Sequence, residues 1–282
     1  KTSIGSGFVI GDGKMIATNY HVIADAVNKE KHEIEYISTD DREGKLRLLA
    51  VDVVHDLAIV AADHDLVLLA RTAADLDELA PVLSEESGAR VRTCAVDLTD
   101  DEALTVTIGE LGLTQLDVLV NSAGIEAAGP LEELSPAQWR SVLDLDLVAV
   151  AHLTGLLLPA LREARGLTIM INSGAGLRTW PEQALYCAAK AGLKALADAL
   201  REEERGRVRV TTIYPGRVDT PMQRRLHRDR ARRLRAEGST THRYRAEDHM
   251  ATTSVAATIR LAVDMPIDAA VEDLSIRPAD ML

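Results

Sequence analysis

LTIMINSGAGLRTWPEQALYCAAK, residues 167–190, holds the reading that decides both the fold and the chemistry of this chain. Leu167 to Ile171 form an unbroken apolar run of strand length, and the polar and glycine residues from Asn172 to Gly176 end it and turn the chain. From Leu185 to Arg205 apolar residues recur at helical spacing, so Tyr186 and Lys190, four apart, share one face of a helix. A phenol is a poor acid or base near neutral pH. A cation beside it stabilises phenolate and lowers its pKa, which suits it to pass a proton to or from a carbinol oxygen. Ser173, thirteen residues before Tyr186 at the strand end, is placed to hydrogen bond to that same oxygen. The plainer alternative is a helix that carries Tyr and Lys on a solvated face by chance, and the order of the flanking blocks argues against it.

Working outward, further strand-like runs occupy residues 65–70, 91–95, 116–120 and 208–213, with a last short one near 274–276. Amphipathic stretches lie between them, at 76–83, 139–158 and 185–205. Strands alternating with helices are the pattern of βαβ units, so the fold class is α/β with a parallel sheet.

Four blocks follow in order: NSAG at 121–124, INSGAG at 171–176, YCAAK at 186–190 and YPGRVDTPM at 214–222. In this order they resemble the short-chain dehydrogenases/reductases over roughly 220 residues. The resemblance implies a Rossmann-like fold and an oxidoreductase acting on a small-molecule alcohol/carbonyl substrate. It implies that Tyr186 is the general acid/base, that Lys190 lowers its pKa and holds the nicotinamide ribose, and that Ser173 orients the carbonyl. Asn121, Ala123, Gly124, Pro215 and Gly216 would line the cofactor, with Asp97 and Leu98 beside the adenine and Thr220 beside the carboxamide. Arg71 follows the first strand of this region, where a base accommodates the 2′-phosphate of NADP and an acid would favour NAD. NADP is therefore expected in preference to NAD, the alternative for Arg71 being an ordinary solvent-facing side chain. Asp146 stands where the family has an asparagine that shapes the helix and holds a water for the proton relay. An ionised carboxylate accepts without donating, and it would compete for Lys190. The stretch 139–158 suits the family's dimer helix, and so a homo-oligomer, as well as it suits a core helix.

One part of that family is missing. Its members open with a strand, a TGxxxGxG turn and a helix whose N-terminus receives the pyrophosphate. Here residues 51–60, VDVVHDLAIV, contain no glycine. The sheet is thus expected as a Rossmann-like parallel sheet missing its first βα unit, with two ladder edges exposed and weak cofactor affinity. GFVIGDG at 7–13 matches GxxxGxG literally, yet its middle residues are bulky and strand-like, which favours a hairpin turn.

Up to about residue 60 the chain is short-stranded and turn-punctuated, a β-rich half-barrel segment; the expected domains are 1–60 and 61–282. Strand candidates are 5–10, 15–18, 33–37, 45–54 and 56–60, with an acidic turn at 39–44. GSGFVI, ATNYHVI and HDLAIV resemble the first barrel of trypsin-like serine proteases of the HtrA type. That resemblance implies His21 as general base and Asp56 as its orienting partner. No second barrel can be drawn from the helical remainder, and Ser173 is already accounted for, so proteolysis is not expected. Two further readings are a recombined or artificial chimera without catalysis and a remnant of such a protease.

Composition bounds the partners. A net charge of −12 and a pI near 5.2 oppose nucleic-acid and anionic-membrane binding. Cys94 and Cys187 lie far apart in apolar runs, which excludes a disulfide framework and suggests a reducing, cytoplasmic setting. No uninterrupted apolar run of bilayer length and no signal pattern at the first residues is read, so no membrane partner is expected. The arginine-rich run 223–235 reads as a solvated substrate-loop helix that can attract an acidic substrate. The histidines show no ligand spacing and no metal is assigned.

Overall fold

The computed structural model describes residues 8–10, 15–19, 34–37, 43–46, 48–52, 57–61, 65–87, 90–236 and 244–279. The chain packs as two units: Lys1–Leu111 with Thr252–Ala269, and Gly112–Ala251 with Ala270–Leu282. The change of sequence pattern near residue 61 falls inside the first of these.

In the first unit, β1 (Phe8–Ile10) and β2 (Met15–Asn19) form an antiparallel hairpin with Phe8 opposite Ala17. β3 (Ile34–Ile37) and β4 (Glu43–Leu46) form a second, separate hairpin. β5 (Leu48–Asp52) and β6 (Leu57–Ala61) extend the first to the order β1-β2-β6-β5. The single strand expected over 45–54 is thus two, and Glu43 and Gly44, expected in a turn, are in β4. β7 (Leu66–Ala70) runs parallel to β8 (Val91–Ala95), joined by α1 (Ala73–Ser87), the expected βαβ unit. α2 (Asp101–Leu111) starts at Asp100, whose Oδ1 accepts from the Ala103 amide at 2.9 Å, and it buries Leu104, Ile108 and Leu111. α7 (Thr252–Val263) packs on β1 and β2.

The second unit carries a four-stranded parallel sheet, β9 (Val118–Asn121), β10 (Leu167–Ile171), β11 (Arg209–Pro215) and β12 (Asp273–Ile276), in that order. Ile169 sits between Val120 and Thr211. Its helices are α3 (Pro136–Leu143), α4 (Ala149–Ala164), α5 (Ala184–Glu203) and α6 (Pro221–Ala236). Among the described strands β9 pairs on one side only, with β10, and β7 in the other unit pairs only with β8.

The core of the sheet–helix packing is Val150, Met170, Leu193, Ala197, Leu200 and Val210. Each such large side chain contributes about 2 kcal/mol of burial. α3 begins with a capping box, Ser135 and Gln138, and Pro136 in its first turn. A π-turn, Asp144–Val148, joins α3 to α4. Pro136–Ala164 is long and apolar enough, by length and composition, to cross a membrane, a longer stretch than the sequence reading allowed. Within this unit it buries Val142, Val150, Leu153, Leu157 and Leu161. Arg165 ends α4 in the left-handed conformation, and Gly166 follows where a Cβ would lie 2.4 Å from the Leu116 carbonyl. That close approach delivers the chain into β10.

Candidate active site

The C-terminal end of β10 places the first group. Asn172 is buried; its Oδ1 accepts from the Ser173 amide at 2.8 Å and its Nδ2 donates to the Lys190 carbonyl at 3.0 Å. One side chain thereby ties the serine turn to the helix carrying Tyr186 and Lys190. The turn tolerates this only because Gly176 has no Cβ, which would stand 2.4 Å from Asn172 Oδ1. Ser173 Oγ accepts from the Ala175 amide at 3.1 Å, and Ser173 lines the same cavity as Tyr186.

Ser173 and Tyr186 face a cavity of about 660 Å³, shared with Glu126, Trp180, Tyr214 and Gly216. Its volume lies in the range of small-molecule sites. It opens near the C-terminal tips of parallel strands, where ligands bind in open α/β sheets.

Lys190 Nζ lies 5.6 Å from the centroid of the Tyr186 ring. Its nearer partner is Asp146, with Nζ 3.1 Å from Oδ2, both side chains almost wholly buried. The contact is ionic, since Oδ2 makes no aligned hydrogen bond among the described residues. Nζ also donates to the Ile171 carbonyl at 3.4 Å. Asp146 Oδ1 accepts from the Ile125 amide at 2.7 Å, and a Cβ on Gly124 would stand 3.0 Å from Oδ2. The competition for Lys190 expected from a carboxylate at this position is what the geometry contains.

The phenol departs from expectation. Burial, then the negative charges of Glu126 and Asp146, push the Tyr186 hydroxyl well above its ordinary value, against the hydrogen bond from Ser173. A lowered value was expected from Lys190, but Asp146 compensates that cation at close range. Glu126 was not singled out in the sequence. It accepts from Gln183 Nε2 at 2.9 Å, and burial raises its carboxyl to about 7 despite that bond. A lone carboxylate among small apolar residues two places after the NSAG block was the available signal.

The remaining sites are placed as follows. Asn121 turns its amide into the core, with Nδ2 3.2 Å from both Thr154 Oγ1 and Thr168 Oγ1. Asn121 Oδ1 and Ser122 Oγ are buried without a hydrogen-bond partner among the described residues. Ala123 and Gly124 follow in the turn. Pro215 ends β11, and the Gly216 amide donates to the Ile276 carbonyl at 2.8 Å. Thr220 Oγ1 accepts from the Gln223 amide at 3.2 Å and caps α6.

In the other unit Arg71 is exposed just beyond β7. Asp97 follows β8, held below the usual carboxylate range chiefly by hydrogen bonds from Thr99 and further by the Arg71 charge. Leu98 stands next to it in the turn. His21, Asp56 and the glycines 7, 11 and 13 lie outside the described residues.

A nicotinamide cofactor fits part of this arrangement. Orphaned polar atoms at the tip of β9 and the Ser173–Tyr186 wall suit its nicotinamide-ribose end, while the sequence offers no TGxxxGxG turn for its pyrophosphate. Among the described residues no group of three His, Cys, Asp or Glu could hold a metal, and Cys94 and Cys187 are free thiols.

A parallel α/β sheet with Ser173, Tyr186 and Lys190 gathered at its strand tips defines a Rossmann-like protein with dehydrogenase-type side chains. The short chain dehydrogenase family model matches residues 52–231. An uncharacterized oxidoreductase of Staphylococcus saprophyticus is 32% identical over 160 residues, 55% of this chain and 68% of its own length. A 3-oxoacyl-(acyl-carrier-protein) reductase of Chlamydia trachomatis is 32% identical over 152 residues, 52% of this chain and 61% of that protein. Among solved structures, an alcohol dehydrogenase from Thermococcus sibiricus complexed with 5-hydroxy-NADP shares the fold at a TM-score of 0.65 and 24% identity, covering 76% of this chain and 86% of that one. Carveol dehydrogenase from Mycobacterium avium in complex with NAD does so at 0.66 and 21%, covering 77% and 88%. The chain belongs to the short-chain dehydrogenase family. The protease resemblance of residues 1–60, and the readings as a protease remnant or a chimera without catalysis, gain no support from these likenesses.

Proposed function

We propose that this chain is an NADP-linked oxidoreductase that interconverts an alcohol and a carbonyl compound, with Tyr186 as its general acid/base. The observation that carries the reading is the shared wall of one cavity, which Tyr186 and Ser173 line together. A bound nicotinamide supplies or takes the hydride. In reduction the Tyr186 hydroxyl gives its proton to the carbonyl oxygen, and Ser173 donates a hydrogen bond that holds that oxygen. In oxidation the same phenol takes the proton back. A pKa pushed up by burial keeps the phenol protonated at neutral pH and makes it a weaker acid than a tyrosine beside an uncompensated lysine.

Lys190, Asn121, Ala123, Gly124, Pro215, Gly216 and Thr220 form the surroundings of the nicotinamide end in this reading. Arg71, with Asp97 and Leu98, serves the adenosine end. Arg71 favours NADP because an exposed guanidinium at a strand tip matches a 2′-phosphate bidentately. The absent glycine turn makes NADPH binding weak. The free thiols support a reducing, cytoplasmic setting, and a homo-oligomer through 139–158 rests on the family resemblance alone.

Tyr186→Phe tests the assignment. NADPH oxidation with a panel of aldehydes and ketones should fall by about 10²–10⁴-fold while thermal unfolding stays that of the parent. Turnover retained in the phenylalanine variant would overturn it.

A further inference from the structure

The cavity that holds Ser173 and Tyr186 is unusually basic for a chain of net charge −12. Five arginines line it, Arg217, Arg230, Arg233, Arg245 and Arg277, against three carboxylates, Glu126, Glu182 and Asp248. Two of the arginines are already occupied. Arg233 donates to the Ala128 carbonyl at 2.9 Å and pairs with Glu182 at 3.3 Å. Arg245 pairs with Glu247 at 3.0 Å and with Asp248 at 3.9 Å. The third carboxyl, Glu126, accepts from Gln183. Arg217, Arg230 and Arg277 have no ion-pair partner among the described residues, and all three are exposed toward the cavity's rim.

Their positions are set by the sheet. Pro215 of β11 and Ile276 of β12 are register partners, and the Gly216 amide donates to the Ile276 carbonyl at 2.8 Å. Arg217 and Arg277 therefore leave neighbouring strand tips, and a Cβ on Gly216 would stand 3.4 Å from Arg277 Cα. Arg230 comes from α6, which carries seven arginines in sixteen residues. Three elements thus bring unneutralised guanidinium groups to one opening. On the same wall, His249 Nδ1 lies 2.8 Å from the Arg245 carbonyl, leaving a buried Nε2 unpartnered.

We infer that the carbonyl substrate carries a carboxylate or phosphate group, received at the cavity mouth by Arg217, Arg230 and Arg277 while its carbonyl lies at Tyr186 and Ser173. This rests on the oxidoreductase reading and adds the substrate's charge to it. The carbonyl carbon gains the hydride from the reduced nicotinamide, its oxygen gains the Tyr186 proton, the cofactor is oxidised, and the anionic group passes through unchanged. Guanidinium pairs are the natural receivers, because their planar fork meets both oxyanions bidentately. A second source of the same chemistry is the cofactor's own pyrophosphate. The lining favours the substrate: Trp180, Leu226 and His227 are part of it, and Asn121, Ala123 and Gly124 are not.

The test uses the full chain and matched probes: 4-oxobutanoate against butanal, and glyceraldehyde 3-phosphate against glyceraldehyde. Affinity is read by calorimetry without turnover, and kcat/KM by NADPH oxidation. At least one anion should bind about tenfold or more tightly than its neutral partner. That preference should fall in the Arg217→Ala/Arg277→Ala double variant and in Arg230→Ala, and Arg217→Lys should keep part of it. Exposed arginines make loss of folding an improbable cause, and circular dichroism of each variant checks it. Equal binding of anionic and neutral partners overturns the inference. So does a preference that survives removal of all three arginines, or variants that weaken NADPH and leave the anion untouched. An anion held by the arginines yet never reduced upholds the site and instead removes the oxidoreductase reading.

Discussion

Replacing Asp146 by Asn, the residue the family carries there, separates the ion pair from the rest of the site. At 3.1 Å, with an effective dielectric constant near 20, the Coulomb attraction between Lys190 and Asp146 is about 5 kcal/mol. Removing one member of a buried pair costs roughly 3–5 kcal/mol, because the remaining charge stays buried. Asparagine keeps the shape and can still accept from the Ile125 amide, and Lys190 keeps the Ile171 carbonyl. The lower end, about 3 kcal/mol, is therefore expected, a fall in Tm of roughly 6–12 °C for a unit of this size. Loss of the Asp146 charge also relieves the phenol, so the Tyr186 pKa moves down. Alcohol oxidation, which needs phenolate, then gains at neutral pH. Thermal melts by circular dichroism and pH–rate profiles in both directions check this. A variant with the parent's melting curve and unshifted profiles would mean that Lys190 does not depend on Asp146, and the account of the phenol would fail with it.

Three further outcomes follow from the geometry. Glu126 has its carboxyl raised from 4.5 to about 7, so its neutral form is worth roughly 3 kcal/mol, present below pH 4.5 and lost as pH rises through 7. Glu126→Gln should abolish that decline in denaturant midpoints measured between pH 5 and pH 8; a parent whose stability is flat over the range refutes it. Gly176→Ala should cost about 2 kcal/mol or more and reduce turnover, because the new methyl meets both Asn172 Oδ1 and the Lys190 carbonyl, the latter at 2.8 Å. Full stability and activity in that variant would show the serine turn to be looser than described. Arg162 grips the buried Glu204 with two hydrogen bonds, at 2.9 and 2.6 Å, and holds its carboxyl below the usual range. That stabilisation is present above pH 4.5 and lost on acidification through the lowered value, so Arg162→Met should melt earlier than the parent at pH 7 and converge with it in acid.

The sheet of the second unit was legible because parallel strands buried on both faces become nearly continuous apolar runs. Leu167–Ile171 in that sheet was read to the residue, as was Val91–Ala95 in the first unit, and the Ser173, Tyr186, Lys190 spacing was visible because a strand end and one helical face hold all three. What the sequence hid was electrostatic. Glu126 and Gln183 are 57 residues apart, yet their side chains meet, and that meeting places a second carboxyl beside Tyr186. Asn172 was equally hidden, since nothing in INSGAG says that the asparagine faces backward onto the Lys190 carbonyl. The grouping of Thr252–Ala269 with the first unit rests on packing between elements far apart in sequence, which no local pattern records.

In the proposed reaction, proton transfer at Tyr186 would follow how many negative charges surround the phenol at a given pH. Asp146 opposes phenolate, and Glu126 opposes it only when ionised, which changes near pH 7. Below that pH a neutral Glu126 leaves Asp146 as the remaining obstacle; above it both carboxylates act, and the phenol becomes harder to ionise as the solution becomes more basic. The family's solution, a lysine beside a tyrosine with a neutral asparagine nearby, makes phenolate accessible. Here one lysine answers two carboxyl groups, so in the proposed reaction the phenol holds its proton more firmly and would part with it only to a stronger base, such as the oxygen of a carbonyl that is accepting hydride.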